Sequence, residues 1–184
     1  MQKRIWIIGA LIGCLLPTHG ADAGGMLGLR GMTMTGGLVT EGSSLCFGGR
    51  ADLGQINEQV SVDLGLLYWR WSQSATAYGF TASGSLRDLV ILPGVTYRFP
   101  LENSQITPFA QGGLGLHLFK ASWEGRYVYY NEGASYSASR AGLYLGGGAD
   151  YKTARGFLIG AYLNHHLVEG GWTEIGARVT FSLR

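Results

Sequence analysis

The sequence predicts an all-β fold, an eight-stranded antiparallel up-and-down transmembrane β-barrel. Three observations carry that prediction. First, charged residues make up only 14% of the chain, against about 25% in a typical soluble domain, and glycine reaches 31 of 184 residues. Second, no apolar run beyond residue 24 approaches the roughly 18 residues of a membrane helix, yet eight segments alternate apolar and polar residues with a period of two. Third, the apolar phase of those segments gathers aromatic side chains at one end, as an interfacial girdle does.

The N-terminus reads as a secretory signal. Lys3 and Arg4 form a positive start, 5–16 is an apolar run, Pro17 and Gly20 break it, and Ala21-Asp22-Ala23 is a small-x-small cleavage site. The run is too short to span a bilayer as a helix, which needs roughly 20 residues. The expected division is a cleaved signal peptide at 1–23 and a barrel domain at 24–184. A rival reading takes Leu11-Ile12-Gly13-Cys14 as a lipobox with Cys14 acylated, but Leu15, Leu16 and Pro17 carry the segment past the cysteine. Removing residues 1–23 from 184 leaves 161, enough for one domain. Loss of Lys3, Arg4 and Asp22 takes the formal charge from +2 to +1, which provides no field for nucleic acid. Cys46 alone remains, so there is no internal disulfide framework.

The strands follow in order. Residues 26–34 alternate weakly, with Leu27 and Leu29 opposing Arg30. In 45–53, Leu45, Phe47, Gly49, Ala51 and Leu53 oppose Arg50 and Asp52. In 60–68, Val60, Val62, Leu64, Leu66 and Tyr68 oppose Ser61, Asp63 and Gly65. In 89–99, Leu89, Ile91, Pro93, Val95, Tyr97 and Phe99 oppose Thr96 and Arg98, with Asp88 just before. In 106–118, Ile106, Ala110, Leu114, Leu116 and Leu118 oppose Thr107, Gln111, Gly115 and His117. In 140–151, Leu143, Leu145 and Tyr151 oppose Arg140, Tyr144 and Asp150. In 157–167, Phe157, Ile159, Leu163, His165 and Leu167 oppose Tyr162, Asn164 and His166. In 172–183, Thr173, Ile175, Val179, Phe181 and Leu183 oppose Trp172, Glu174 and Arg178.

Short breaks at 54–58, 100–105 and 152–155 suit periplasmic turns, and longer segments at 35–43, 72–86 and 120–136 suit outer loops. The last outer connection, 169–171, is short. A soluble barrel would also alternate, with its apolar face inward. Two features favour the membrane. The polar faces carry Gly, Ser, Thr and Tyr rather than the Lys and Glu of a solvated surface. The apolar phase also sets Tyr97, Phe99, Tyr151, Phe157 and Phe181 at the short-turn end, while Tyr68, beside Trp69 and Trp71, ends a strand at the other.

Pro108-Phe109-Ala110-Gln111-Gly112-Gly113-Leu114-Gly115 has the look of a mid-barrel strand, and Gly146-Gly147-Gly148-Ala149-Asp150-Tyr151 precedes a tight turn. With the alternating last strand, these make the chain resemble the small outer-membrane β-barrel family, similar to the OmpA transmembrane domain and the OmpX, Ail and opacity-type proteins. The resemblance covers the mature chain on motifs of low specificity. It implies a bacterial outer-membrane location, contact with phospholipid or lipopolysaccharide, and insertion by the barrel-assembly machinery. Family members usually end on an aromatic residue, and this chain departs by ending Phe181-Ser182-Leu183-Arg184.

Three constellations are candidate sites. Arg50, Asp52, Asp63, Arg98, Asp150 and Arg178 fall toward the periplasmic end of the lumen and nearly neutralise one another, as buried charges must. They read as a structural plug, with a narrow conducting channel as the alternative. Asp88, His117, Arg140, His166 and Glu174, with Asn164, fall toward the outer rim, where a histidine with carboxylates suits acid–base work or a metal. The resemblance brings lipid A acylases and deacylases into view, but a deacylase pairs a histidine with a serine two residues on. Here Val168 follows His166 and Leu167 follows His165 at that spacing. No cofactor or metal spacing is recognisable. The segment 123–136 holds Trp123, Tyr127, Tyr129, Tyr130 and Tyr136, side chains of the kind that dominate contact hot spots. The leading expectation is therefore a non-enzymatic barrel with an envelope-structural or surface-contact role, the loop meeting a protein partner. The alternatives are a rim lipid-modifying enzyme and a narrow channel.

Overall fold

A computed structural model describes residues 27–78, 80–127 and 130–183. The expected signal peptide at 1–23 and Cys14 lie outside the described residues. Eight antiparallel strands close into one barrel in sequence order: β1 (Leu27–Val39), β2 (Ser44–Gln55), β3 (Val60–Ala77), β4 (Phe80–Arg98), β5 (Ile106–Tyr127), β6 (Tyr130–Lys152), β7 (Leu158–Leu167) and β8 (Trp172–Ser182). Closure comes from β1 against β8, which pair from Gly31↔Ser182 to Val39↔Glu174. Closing the sheet removes the free edges that an open sheet would expose over its length.

Alternation sets the two faces. Leu45 is 73% exposed, Phe47 61% and Leu145 60%, while Asp63, Asp88, His117, Asp150, His166 and Glu174 are buried. A water-soluble barrel would be the reverse, so the apolar side faces lipid and the charges face the lumen. The expected girdle is present: Tyr97 and Phe99 meet at 4.6 Å between ring centres, and Phe157 and Phe181 at 6.2 Å. Trp69 is not part of the opposite girdle. It points inward, 6% exposed, and packs at 5.6 Å against Trp172.

The short turns are closed by their own side chains. The Asn57 carbonyl accepts the Gln59 and Val60 amides at 2.9 and 2.8 Å, and the Ser104 hydroxyl accepts the Ile106 amide at 3.0 Å. The outer segments depart from expectation. Residues 35–43 are not a long loop, because β1 runs to Val39 and only a 3₁₀ turn, Thr40–Gly42, intervenes. The ladder of β1 is regular from Gly31, after an irregularity between Leu27 and Gly31, and its outward side chains are Met32, Met34 and Leu38. Residues 72–77, 80–86, 120–127 and 130–136 are strand as well.

Pairing of β2 with β3 stops at Cys46↔Trp69 and that of β6 with β7 at Leu143↔Leu167. Pairing of β3 with β4 runs on to Ala77↔Phe80, and of β5 with β6 to Tyr127↔Tyr130. The four central strands thus rise out of the barrel as a free-standing blade. Strand β5 has 22 residues against 11 in β8. At about 3.3 Å per residue, the difference is roughly 35 Å along the strand.

Candidate functional site

The lumen is solid. Beneath its mouth Val39, Trp69 and Trp172 pack with Leu67, Val90, Leu92 and Tyr144. The space left among Arg50, Gln111, Asn164, Glu174 and Arg178 is about 10 Å³. That is about the room one water needs.

The six expected plug residues separate into two ion pairs and two residues bonded elsewhere. Arg178 forms a fork with Asp150, Nε at 2.8 Å and Nη2 at 2.5 Å, and its guanidinium lies 3.4 Å from the Phe109 ring centre. These two residues sit on β8 and β6, with β7 between them. They meet because Gly160 of β7 is in register with both, and a Cβ there would collide with Asp150 Oδ1. Arg50 donates to Asp63 at 2.6 Å and to the Tyr144 hydroxyl at 2.9 Å, and Asp63 also accepts from Thr96 at 2.7 Å. Arg98 instead donates to the Ser61 hydroxyl at 2.8 Å. Asp52 accepts the Gly54 amide at 3.0 Å, holding the irregularity of β2 rather than joining the plug.

The expected rim set sits deeper than the rim. His117 Nδ1 lies 2.8 Å from Asp88 Oδ2, and both side chains are 0% exposed. His166 is sandwiched: Trp172 stacks on it at 3.7 Å and Tyr144 at 6.0 Å, with the His117 ring edge-on at 5.5 Å. Glu174 accepts the Asn164 amide at 2.5 Å, and Gln111 donates to Asn164 at 2.5 Å in turn. His166 Nε2 is 3.6 Å from Glu174, beyond a hydrogen bond. Arg140 leaves the group entirely and pairs with Glu169 at the surface.

Chemically, an Asp–His pair is the orienting half of a nucleophilic triad. A triad also needs a hydroxyl or thiol on the other ring nitrogen. His117 Nε2 makes no hydrogen bond, and the ring is covered by Phe119, stacked at 5.5 Å. Among the described residues no three His, Cys, Asp or Glu side chains converge as metal ligands.

Above the mouth, the inner face of the blade carries Trp71, Leu86 and Phe119, then Trp123, Phe80 and Tyr136. With Val39, Trp69 and Trp172 the lower members of this face line an apolar cavity of about 350 Å³. Phe80 is 38% exposed, Trp123 44% and Tyr136 64%. Trp123 and Tyr136 of the expected contact loop therefore share one face of a sheet. Tyr127 and Tyr130 form the last paired rung at the tip. Tyr129 and the side chains of Tyr127 and Tyr130 lie outside the described residues. Sequence reasoning missed Trp69, whose signal was available: the inward phase of Ser61, Asp63 and Gly65, continued by four residues, reaches it.

A closed barrel with an apolar exterior and ion-paired interior defines an integral membrane barrel. Residues 16–182 match the family model described as outer membrane protein beta-barrel domain. The chain belongs to that family and is a protein of the bacterial outer membrane. No curated protein matches it. Among solved structures it is similar to the N-terminal β-barrel domain of Pseudomonas aeruginosa OprF, at 18% identity and TM-score 0.52, over 85% of this chain and 99% of that one. It is similar also to Ail, the attachment invasion locus protein of Yersinia pestis, at 16% and 0.50, over 85% and 100%. The outer membrane enzyme PagL matches at 17% and 0.45, over 83% and 99%. At such identities the likeness is one of fold.

Proposed function

We propose that this protein is a non-enzymatic envelope barrel that makes surface contacts through the blade of β3 to β6. One observation carries the reading: the blade leaves aromatic side chains exposed on a face with no covering element among the described residues. Large amphipathic rings on a rigid sheet lose little conformational freedom on binding, which is why they dominate contact hot spots. The likeness in fold to Ail, the attachment invasion locus protein, fits this reading.

The interior supports it over both alternatives. A lipid-modifying enzyme needs a reachable base and nucleophile, and the Asp88–His117 pair is fully buried beneath Phe119. A channel needs a continuous bore, and the ion pairs and Trp69–Trp172 fill it.

Trp123→Ser with Tyr136→Ser tests the proposal. Cells displaying the variant should bind host-cell and coated surfaces at least tenfold less than cells displaying the parent chain, from hot spots of about 2 kcal/mol each. Equal binding at equal display would refute the contact role. Planar-bilayer recordings should show no discrete conductance. Alanine at His166 and Glu174 should leave lipid A composition unchanged, and a change would revive the enzyme.

A further inference from the structure

The outer face of the blade carries a second pattern. Just where the lipid-facing belt ends, the residues of β3, β4 and β5 form three transverse rows in register. The lowest is Tyr68↔Leu89↔Leu118, the next Arg70↔Arg87↔Lys120, and the third Ser72↔Ser85↔Ser122. Along β4 the belt runs from Leu89 to Phe99, the residue just past the strand's end, ten intervals. At about 3.3 Å per residue and a tilt of about 40°, that is roughly 25 Å of height, the apolar thickness of an outer-membrane barrel. The cation row therefore stands at the level of the outer-leaflet headgroups.

Three like charges directly opposite one another on neighbouring strands repel. None of the side chains of Arg70, Arg87 and Lys120 has a hydrogen bond or ion pair among the described residues. Asp88, next to Arg87 in the chain, points into the lumen and is taken by His117. The nearest carboxylate on the same face of β5, Glu124, is four residues beyond Lys120, about 13 Å along the strand. With strands about 4.8 Å apart, the three cations span roughly 10 Å. Their hydroxyl neighbours supply further donors, Ser85 and Ser122 lying 2.8 Å from each other. A recess of about 350 Å³ opens between Arg70, Arg87 and the serines, with Glu124 also in its lining.

We infer that Arg70, Arg87 and Lys120 form a binding site for the phosphate groups of an outer-leaflet lipid. The apolar row below takes its acyl chains and the serine row above its sugar or glycerol oxygens. Arginine forks suit phosphate oxygens in pairs, and the lipid's negative charge offsets the repulsion within the row. The site rests on the outer-membrane location and not on the contact role, because it occupies the opposite face of the blade from Trp123 and Tyr136.

The test uses the full chain in a neutral maltoside detergent. It is titrated with lipopolysaccharide, with dephosphorylated lipopolysaccharide, and with inorganic phosphate. Each cation near an anionic lipid surface is worth about fivefold in affinity, so R70S/R87S/K120S should bind lipopolysaccharide about 100-fold more weakly. Added salt should narrow that gap. K152S/R155S, which removes two cations at the opposite end, should bind as the parent does, and so should W123S/Y136S. Dephosphorylated lipid should bind parent and triple variant alike. Should the triple variant fail to show the heat-dependent gel shift of a folded barrel, R87S and K120S singly should each weaken binding about fivefold. Equal affinity of parent and variants for lipopolysaccharide overturns the site. Inorganic phosphate competing at equal concentration overturns the lipid assignment and leaves a small-anion site.

Discussion

Replacing Asp150 by Asn removes one charge from the lumen while keeping the shape of the side chain. Arg178, 6% exposed, then keeps its charge with no ion-paired carboxylate, Glu174 standing only across the small cavity they share. The Phe109 face 3.4 Å away offers some compensation but no hydrogen-bond acceptor for the fork. Two unit charges about 4 Å apart at an effective dielectric of about 20 attract by about 4 kcal/mol. Breaking a buried pair by removing one partner costs 3–5 kcal/mol on the same order. At a urea slope of about 2 kcal/mol per molar, the unfolding midpoint should fall by about 2 M. The assay is urea unfolding of the refolded barrel, read by tryptophan emission and checked by the heat-dependent shift on a denaturing gel. Adding Arg178→Gln to Asp150→Asn removes the stranded cation and should recover part of the loss, giving a coupling that a double-mutant cycle reads directly. A loss below about 1 kcal/mol with no recovery would mean that the pair behaves as a solvated surface pair. The lumen would then be wet and open to solvent.

Two further outcomes follow from the geometry. A Cβ at Gly94 would collide with the Tyr144 hydroxyl and lie 2.7 Å from the Gly112 carbonyl. Gly94→Ala should therefore displace Tyr144 from Arg50 and destabilise the barrel by 1–3 kcal/mol, lowering the temperature of the gel shift. At the outer turn, Glu41 accepts the Thr173 amide at 2.8 Å and the Thr40 hydroxyl at 2.7 Å. Desolvation, the largest influence, raises its pKa, but those hydrogen bonds and the charge of His165 outweigh it and hold the carboxyl below its ordinary 4.5. A depressed carboxylate stabilises above its unfolded value, and that contribution is lost as pH falls through the folded value. Protection of the Thr173 amide, corrected for intrinsic exchange, should drop below about pH 4.5. Glu41→Gln should abolish that drop, and an unchanged profile in the variant would show that another group controls it.

The alternation of the chain was enough to reveal the barrel, because a period of two places every second side chain on one face whatever the strand pairs with. It put Leu45, Phe47 and Leu145 outside and Asp63, His117 and Glu174 inside, and the structure has them there. The outer segments were less legible. Ser, Ala, Thr and Gly at 72–86 and 120–136 read as loop residues, yet once β3 to β6 are aligned their backbones go on pairing at no extra cost of closure.

The partners within the lumen were decided by tertiary structure. Charge balance alone grouped six residues as one plug. Which of them meet depends on register and on what stands between. Asp150 and Arg178 reach each other across β7 only because Gly160 lies in between, while Asp52 is held by a local amide and Arg98 by Ser61. The row of Arg70, Arg87 and Lys120 is of the same kind. The three residues are 17 and 33 positions apart in the sequence and become neighbours through hairpin registers alone. A linear pattern fixes which face a side chain occupies. Cross-strand pairing fixes its neighbours, and for a charged group the neighbours determine what it does.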